Sequence, residues 1–256
     1  MPNLGLSPDE MRRRIPFLYS QSFSLGANAS GQISIKSEQD SYFIVQSMVS
    51  SSTGNFQARM RDDGSGKIWQ SDYVQNVNVF GTAQRPNLLV VPLIIPPMSS
   101  TVIDLVDTSG APNTGEIVLS GYKVYASQFT MPNTGKIDSW FQYVGSKAIA
   151  GSSIDTITIR LQADAHFEVH KLIARIPGGL PTTGAFSARI SDSDTSKSWS
   201  DRSVGRDNQF GTAQYPVYMT MPKLLRPNIV VQIEITELST ATNQVEIVLE
   251  GAKRYI

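Results

Sequence analysis

Two histidines, His166 and His170, stand four positions apart, a spacing that holds a metal when it falls on a helix. Here they lie in Asp164-Ala165-His166-Phe167-Glu168-Val169-His170, whose polar and apolar residues alternate as in a strand. On a strand the two rings would share a face about 13 Å apart, at about 3.3 Å per residue, too far to share an ion. The acidic loops Asp62-Asp63-Gly64 and Asp192-Ser193-Asp194 hint at calcium but lack the ligand spacing of a calcium loop. Each reads as a turn whose Asp caps its own backbone. Arg59 with Asp62, and Arg189 with Asp192, recur as pairs and are expected to brace those loops as ion pairs. Tyr73, Tyr215 and Tyr218, with Trp140, are aromatics that could stack on sugar rings. Arg12-Arg13-Arg14 could touch a phosphate backbone. No phosphate loop, nucleophile elbow or Ser/His/Asp order is present, and no carboxylate pair is singled out by spacing. The chain is therefore expected to have no catalytic site, no metal and no cofactor.

The chemistry thins out because the sequence spends its regularity elsewhere. Phe80-Gly81-Thr82-Ala83-Gln84-Arg85-Pro86 returns as Phe210-Gly211-Thr212-Ala213-Gln214-Tyr215-Pro216, a shift of 130 positions (210 − 80). The same shift carries Trp69 onto Trp199, Glu116-Ile117-Val118-Leu119 onto Glu246-Ile247-Val248-Leu249, and Gly121, Lys123 and Tyr125 onto Gly251, Lys253 and Tyr255. Upstream the match continues with a shift of 124 (141 − 17), pairing Phe17, Tyr19, Phe43 and Val45 with Phe141, Tyr143, Phe167 and Val169. The second half thus carries a short insertion, placed around Ile176-Pro177-Gly178-Gly179-Leu180-Pro181. One domain is written twice, and a repeat of this length decides the architecture before any local feature does.

Composition narrows the class. Cysteine is absent, so there is no disulfide framework and no thiolate chemistry, which suits synthesis in a reducing cytoplasm. Net charge is zero and charged residues make up 17% of the chain, a poor counterion-releasing surface for nucleic acid. Such a surface suits packing against other protein. In that setting three arginines on an arm are better matched to acidic side chains of a neighbour than to phosphates. The longest apolar run, Leu88 to Ile95, is short and broken by Pro92, so no membrane span is expected. The start of the sequence shows no basic stretch leading into an apolar run, and no signal peptide is expected.

The elements follow from periodicity. Phe56-Gln57-Ala58-Arg59-Met60 and Phe186-Ser187-Ala188-Arg189-Ile190 alternate with a period of two, as do the Ile pairs 33/35, 157/159 and 233/235. Gly-, Asn- and Asp-rich clusters separate these runs. The expected fold is all-β: two tandem, homologous antiparallel β-sandwiches of jelly-roll or immunoglobulin-like type, seven or eight strands each. The boundaries read as an arm at 1–14, a first sandwich at 15–126, a linker at 127–138 and a second sandwich at 139–256. In the arm, Ser7-Pro8-Asp9-Glu10 reads as a helix start, Met11 to Arg14 as its last turn and Pro16 as its stop. Pro8, Glu10, Met11, Arg12, Arg13 and Arg14 are the expected partner-binding residues of this arm. Pro92, Pro97, Pro222 and Pro227 place the segments between them at sheet edges. Gly81 and Gly211 are expected to supply an unusual backbone angle, and Gly121 and Gly251 to make room for the rings of Trp69 and Trp199. Gln84-Arg85-Pro86 and Gln214-Tyr215-Pro216 are expected to run extended.

At the repeated block the sequence resembles small β-sandwich proteins of tailed-bacteriophage virions. The likeness is carried by Arg59 and Asp62, by Phe80 to Pro86, by the proline-rich edge Pro92 to Pro97 and by Ile117 to Tyr125, with their second-half equivalents. It departs at Arg226, where the first half has Pro96, and at Ala252, where it has Tyr122. The resemblance implies a non-enzymatic component of the virion exterior, a capsid decoration or head–tail collar. Its partners would be further copies of itself and other virion proteins such as capsid or connector. A carbohydrate-binding module or host-surface adhesin is the alternative, with Tyr73, Tyr215 and Tyr218 facing the glycan.

Overall fold

The computed structural model describes residues 14–129, 139–175, 186–195 and 197–255. The first half contains β1 (Ile15–Leu25), β2 (Ser30–Lys36), β3 (Ser41–Ser52), β4 (Phe56–Asp62), β5 (Val74–Gln75), the one-turn helix α1 (Asn76–Val79), β6 (Asn87–Ile95), β7 (Ser100–Asp107) and β8 (Asn113–Tyr125). The second repeats the series as β9 (Ser139–Ile149), β10 (Ile154–Arg160), β11 (Ala165–Arg175), β12 (Phe186–Asp192), β13 (Val204–Gly205), α2 (Arg206–Gln209), β14 (Val217–Leu225), β15 (Val230–Glu237) and β16 (Asn243–Tyr255). The expected helix of the arm, with Pro8, Glu10, Met11, Arg12 and Arg13, lies outside the described residues. So do the linker turn at Pro132 to Gly135 and the insertion at Ile176 to Pro181.

Each half is an eight-stranded antiparallel sandwich. The sheets of the first run β1-β8-β3-β6 and β2-β7-β4-β5, and those of the second β9-β16-β11-β14 and β10-β15-β12-β13. Odd and even strands cross between the two sheets in the double Greek key of a jelly roll, which decides between the two sandwich types anticipated. Inward residues of both sheets form the cores: Phe43, Val45, Phe56, Met60, Ile103, Ile117 and Leu119 in one half, Phe167, Val169, Phe186, Ile190, Ile233, Ile247 and Leu249 in the other. Burying each such side chain contributes about 1.5–3 kcal/mol. The repeated lysines cap the repeated rings. Lys123 Nζ lies 3.1 Å from the Phe17 ring centroid, and Lys253 Nζ 4.2 Å from that of Phe141. Both ammonium groups reach carboxylates, Glu38 and Asp164, at the rim. The proline-bearing strands β6 and β14 are outermost in their sheets, as a missing ladder N–H requires.

The repeated glycines have a different physical reason from the one expected. Neither Gly81 nor Gly211 is among the residues of positive φ. Each closes a small loop in which Thr82 and Arg85, or Thr212 and Tyr215, exchange backbone hydrogen bonds at 3.0–3.1 Å. A Cβ on Gly81 would meet Arg85 O at 2.1 Å, and one on Gly211 would meet Tyr215 O at 1.9 Å. Gly121 and Gly251 are not covered by Trp69 and Trp199 either. They face bulges at Val45/Ser47 and Val169/Lys171, where a Cβ would lie 1.9 Å from Ile44 O or Glu168 O. Backbone carbonyls cannot swing aside as a side chain can. Gly121→Ala and Gly251→Ala should each cost about 1–3 kcal/mol by forcing the bulge open, read as a lowered denaturation midpoint.

Candidate functional site

The two halves meet along a buried polar seam. The first half lays residues 69–79 and the start of β6 over the outer face of the sheet β9-β16-β11-β14. At its centre Lys171 Nζ donates to Glu250 Oε1 at 2.6 Å, to Asn87 Oδ1 at 2.8 Å and to the Leu88 carbonyl at 2.5 Å. Both charged side chains are fully buried. Glu250 Oε2 accepts from Gln142 Nε2 at 2.9 Å and from Asn87 Nδ2 at 3.3 Å. The pair is thus saturated with partners, which a buried ion pair needs to offset its desolvation. Main chain joins in. Ser71 N donates to the Gln142 carbonyl and Gln142 N to the Trp69 carbonyl, so residues 69–71 add a short parallel strand to the free edge of β9. Gln70 Nε2 donates to Gln142 Oε1 at 2.9 Å. Apolar side chains of the second half, Trp140, Ile173 and Val248, enter the core cluster of the first.

Glu246 lies at one end of the seam, accepting from Gln75 N at 3.0 Å and Asn78 Nδ2 at 2.7 Å. Burial pushes its carboxyl up to about 7, against the pull of those donors and of the Arg175 charge. The folded chain therefore holds this proton more tightly than the unfolded chain does. Its contribution to stability is full below the ordinary glutamate range and is lost as the pH rises to about 7. Unfolding free energy should fall by on the order of 2 kcal/mol between about pH 4.5 and 7 relative to Glu246→Gln, measured by urea denaturation across that range.

The residues picked out from sequence scatter over the fold. His166 and His170 do lie on a strand, β11, and His170 is the extra residue of its bulge, 3.6 Å from Glu168. No group of three metal-ligating side chains occurs among the described residues. Asp62 caps its own turn, its carboxylate accepting from Ser65 N at 2.9 Å and from the Ser65 and Ser99 hydroxyls. Asp192 does the same with Thr195 N and also takes Trp199 Nε1 at 2.8 Å. Burial would raise both carboxyls, but these hydrogen bonds outweigh it and hold them below the usual range. The expected Arg59–Asp62 and Arg189–Asp192 ion pairs do not form among the described residues. Residues three apart on a strand point to opposite faces, Asp inward and Arg outward. Trp140, read as an exposed ring, is fully buried in the seam. Tyr215 and Tyr218 are exposed, yet each carries a cation over its ring, Arg85 at 4.2 Å and Lys171 at 5.5 Å. Tyr73 is half-buried beside Asp72 and apart from any such pair. Arg14, the one described residue of the arm, lies over the Tyr122 ring at 4.8 Å. Of the repeated motif, Trp69, Phe80 and Phe210 are core residues, Gln84 is exposed, and Gln214, Pro86, Pro216 and Trp199 are half-buried.

The seam residues Lys171, Glu250, Gln142 and Asn87 escaped sequence reasoning because it looked for what the halves share. Their repeat equivalents are Ser47, Ser120, Leu18 and Val217. The available signal was the difference: a cation, a carboxylate and an amide gained in the second half, with a second amide, Asn87, gained in the first.

No protein-family model matches this sequence, and no curated protein matches it. Among solved structures the chain is similar to the major capsid protein P2 from bacteriophage PM2, with 14% identity and a TM-score of 0.51, over 94% of this chain and 98% of that one. The fold is that of a viral capsid protein. The chain is also similar to the MCP of STIV, with 11% identity and a TM-score of 0.43, over 92% of this chain and 96% of that one. The likeness to the PM2 protein extends over both jelly rolls of this chain. The described residues contain no helix long and apolar enough to cross a membrane.

Proposed function

We propose that this chain is a non-enzymatic structural subunit of a virus particle, assembled in many copies with itself and with other virion proteins. The supporting observation is the end-to-end likeness of its tandem jelly roll to a major capsid protein. The seam agrees with that reading: the invested chemistry is a saturated ion pair and a strand addition, which fix one half against the other and leave no reactive group open. The wall of the shell is the position that a major-capsid likeness favours. The resemblance in sequence favours a bacteriophage of the tailed kind and an outer position as capsid decoration or head–tail collar. In each case the arm, Pro2 to Arg14, would order against a neighbouring subunit. The glycan-binding alternative gains nothing from Tyr215 and Tyr218, whose rings are each approached by a cation. Quantitative mass spectrometry of purified particles tests the reading. A copy number matching the most abundant virion protein supports the shell wall, a low multiple supports a collar, and absence from particles overturns the proposal.

A further inference from the structure

The chain contains the covering segment and the covered sheet of its seam twice but joins them once. The covering segment, residues 69–79, recurs as 199–209, and the covered sheet β9-β16-β11-β14 recurs as β1-β8-β3-β6. Within one molecule these second versions stay more exposed than the pair that forms the seam. Gln142 is fully buried while its equivalent Leu18 is 61% exposed. Helix α1 buries Asn76, Asn78 and Val79, whereas α2 buries none of its residues. Trp69 is buried and Trp199 only half-buried, while Val248 is buried and Val118 half-exposed. The hydrogen-bonding trio of the seam also survives: Glu246 with Gln75 N and Asn78 becomes Glu116 with Gly205 N and Asn208, and both Glu116 and Asn208 are exposed. Strand β9 receives residues 69–71 on its edge, while β1, outermost in its sheet, receives no such segment among the described residues.

We propose that a second copy of this chain occupies the outer face of β1-β8-β3-β6, docking residues 199–209 and 217–218 on it as residues 69–79 and 87–88 dock inside the chain. Ser200 then lies beside Leu18 on an added parallel strand, and Asn208 donates to Glu116. The contact is head-to-tail, so it propagates until a ring closes. The ion pair is absent from it: Lys171 and Glu250 are replaced by Ser47 and Ser120, and Gln142 by Leu18. The centre of the joint between molecules is therefore uncharged where the centre of the joint inside them is ionic. The inference gives the shell reading its partner surface, but the contact itself follows from the repeat.

The absence of cysteine makes cross-linking a clean test. Parallel neighbours about 4.8 Å apart lie within disulfide reach. Leu18→Cys mixed with Ser200→Cys under mild oxidation should give covalent dimers that neither variant gives alone. The chain bearing both substitutions should give a ladder ending at one ring size. Gln70→Cys/Gln142→Cys should close within the chain and run as monomer, confirming that the geometry accepts a disulfide. If that control closes while the mixture gives no dimers, the proposal fails. It fails equally if the mixture links only after residues 1–13 are removed, since the arm would then be the occupant. As a second readout, Asn208→Asp sets a carboxylate against Glu116 and should weaken self-association at least about tenfold in sedimentation equilibrium without lowering the unfolding midpoint. An unchanged dissociation constant overturns the docking mode. Both assays use purified protein, so their failure is separable from absence of the chain from virions.

Discussion

Lys171→Met should lower the unfolding free energy by about 3–5 kcal/mol, the largest loss expected of any single polar substitution in this chain. The methionine fills the space of the lysine stem but leaves the Glu250 carboxyl without its cation, in a place without solvent exposure. Asn87 Oδ1 and the Leu88 carbonyl lose their donor as well. Removing both charges together, as Lys171→Met/Glu250→Leu, should recover much of the loss, because an apolar pair has no desolvation to offset. Guanidinium denaturation of the three proteins checks the cycle. A single variant within about 0.5 kcal/mol of wild type would mean that the pair is hydrated and the seam loose.

Trp140→Ala should be comparable in size and different in kind. The residue is carried by β9 of the second half but packs, fully buried, in the core cluster of the first. Truncation of a buried tryptophan costs about 3–5 kcal/mol through lost contacts and the cavity left behind. Because Ile173 and Val248 join the same cluster, the wild-type halves should melt together in one calorimetric transition. With the indole gone, the first half loses its anchor while the core around Phe186 and Ile247 is untouched. The expected trace is two transitions, the upper close to the wild-type temperature. A single transition merely shifted downward would show that the ionic cluster, Ile173 and Val248 couple the halves without the indole.

The strands themselves, the halving of the chain and the edge positions of Pro92 and Pro222 could be read from the sequence, because period-two alternation and a missing N–H act locally. The jelly-roll pairing decided by β1-β8 and β2-β7 could not, since those contacts join residues far apart in sequence, such as Ile33 and Ile103. The reasons for Gly81 and Gly121 were hidden for the same cause: the atoms that forbid a Cβ belong to a returning loop and a neighbouring strand. Arg59 and Asp62 show the limit of reading recurrence as contact. Both recur because a strand needs one residue outside and the next turn needs a cap inside. The seam was invisible because it sits where the repeat breaks down, and a search for identity discards such positions.

The prolines of the outer strands have one more effect. Of the four borders of the two long-stranded sheets, Pro92 and Pro222 interrupt two, and residues 69–71 occupy a third. A chain without net charge has no electrostatic repulsion to keep it from sticking to its own kind at the crowding of a growing particle. Of these four borders, the ladder left bare to a half-folded neighbour among the described residues is then that of β1. Protection from amyloid-like growth would thus come from backbone chemistry, and mutating Pro92 or Pro222 to valine would expose that hazard in crowded cells before it altered the shape of the folded molecule.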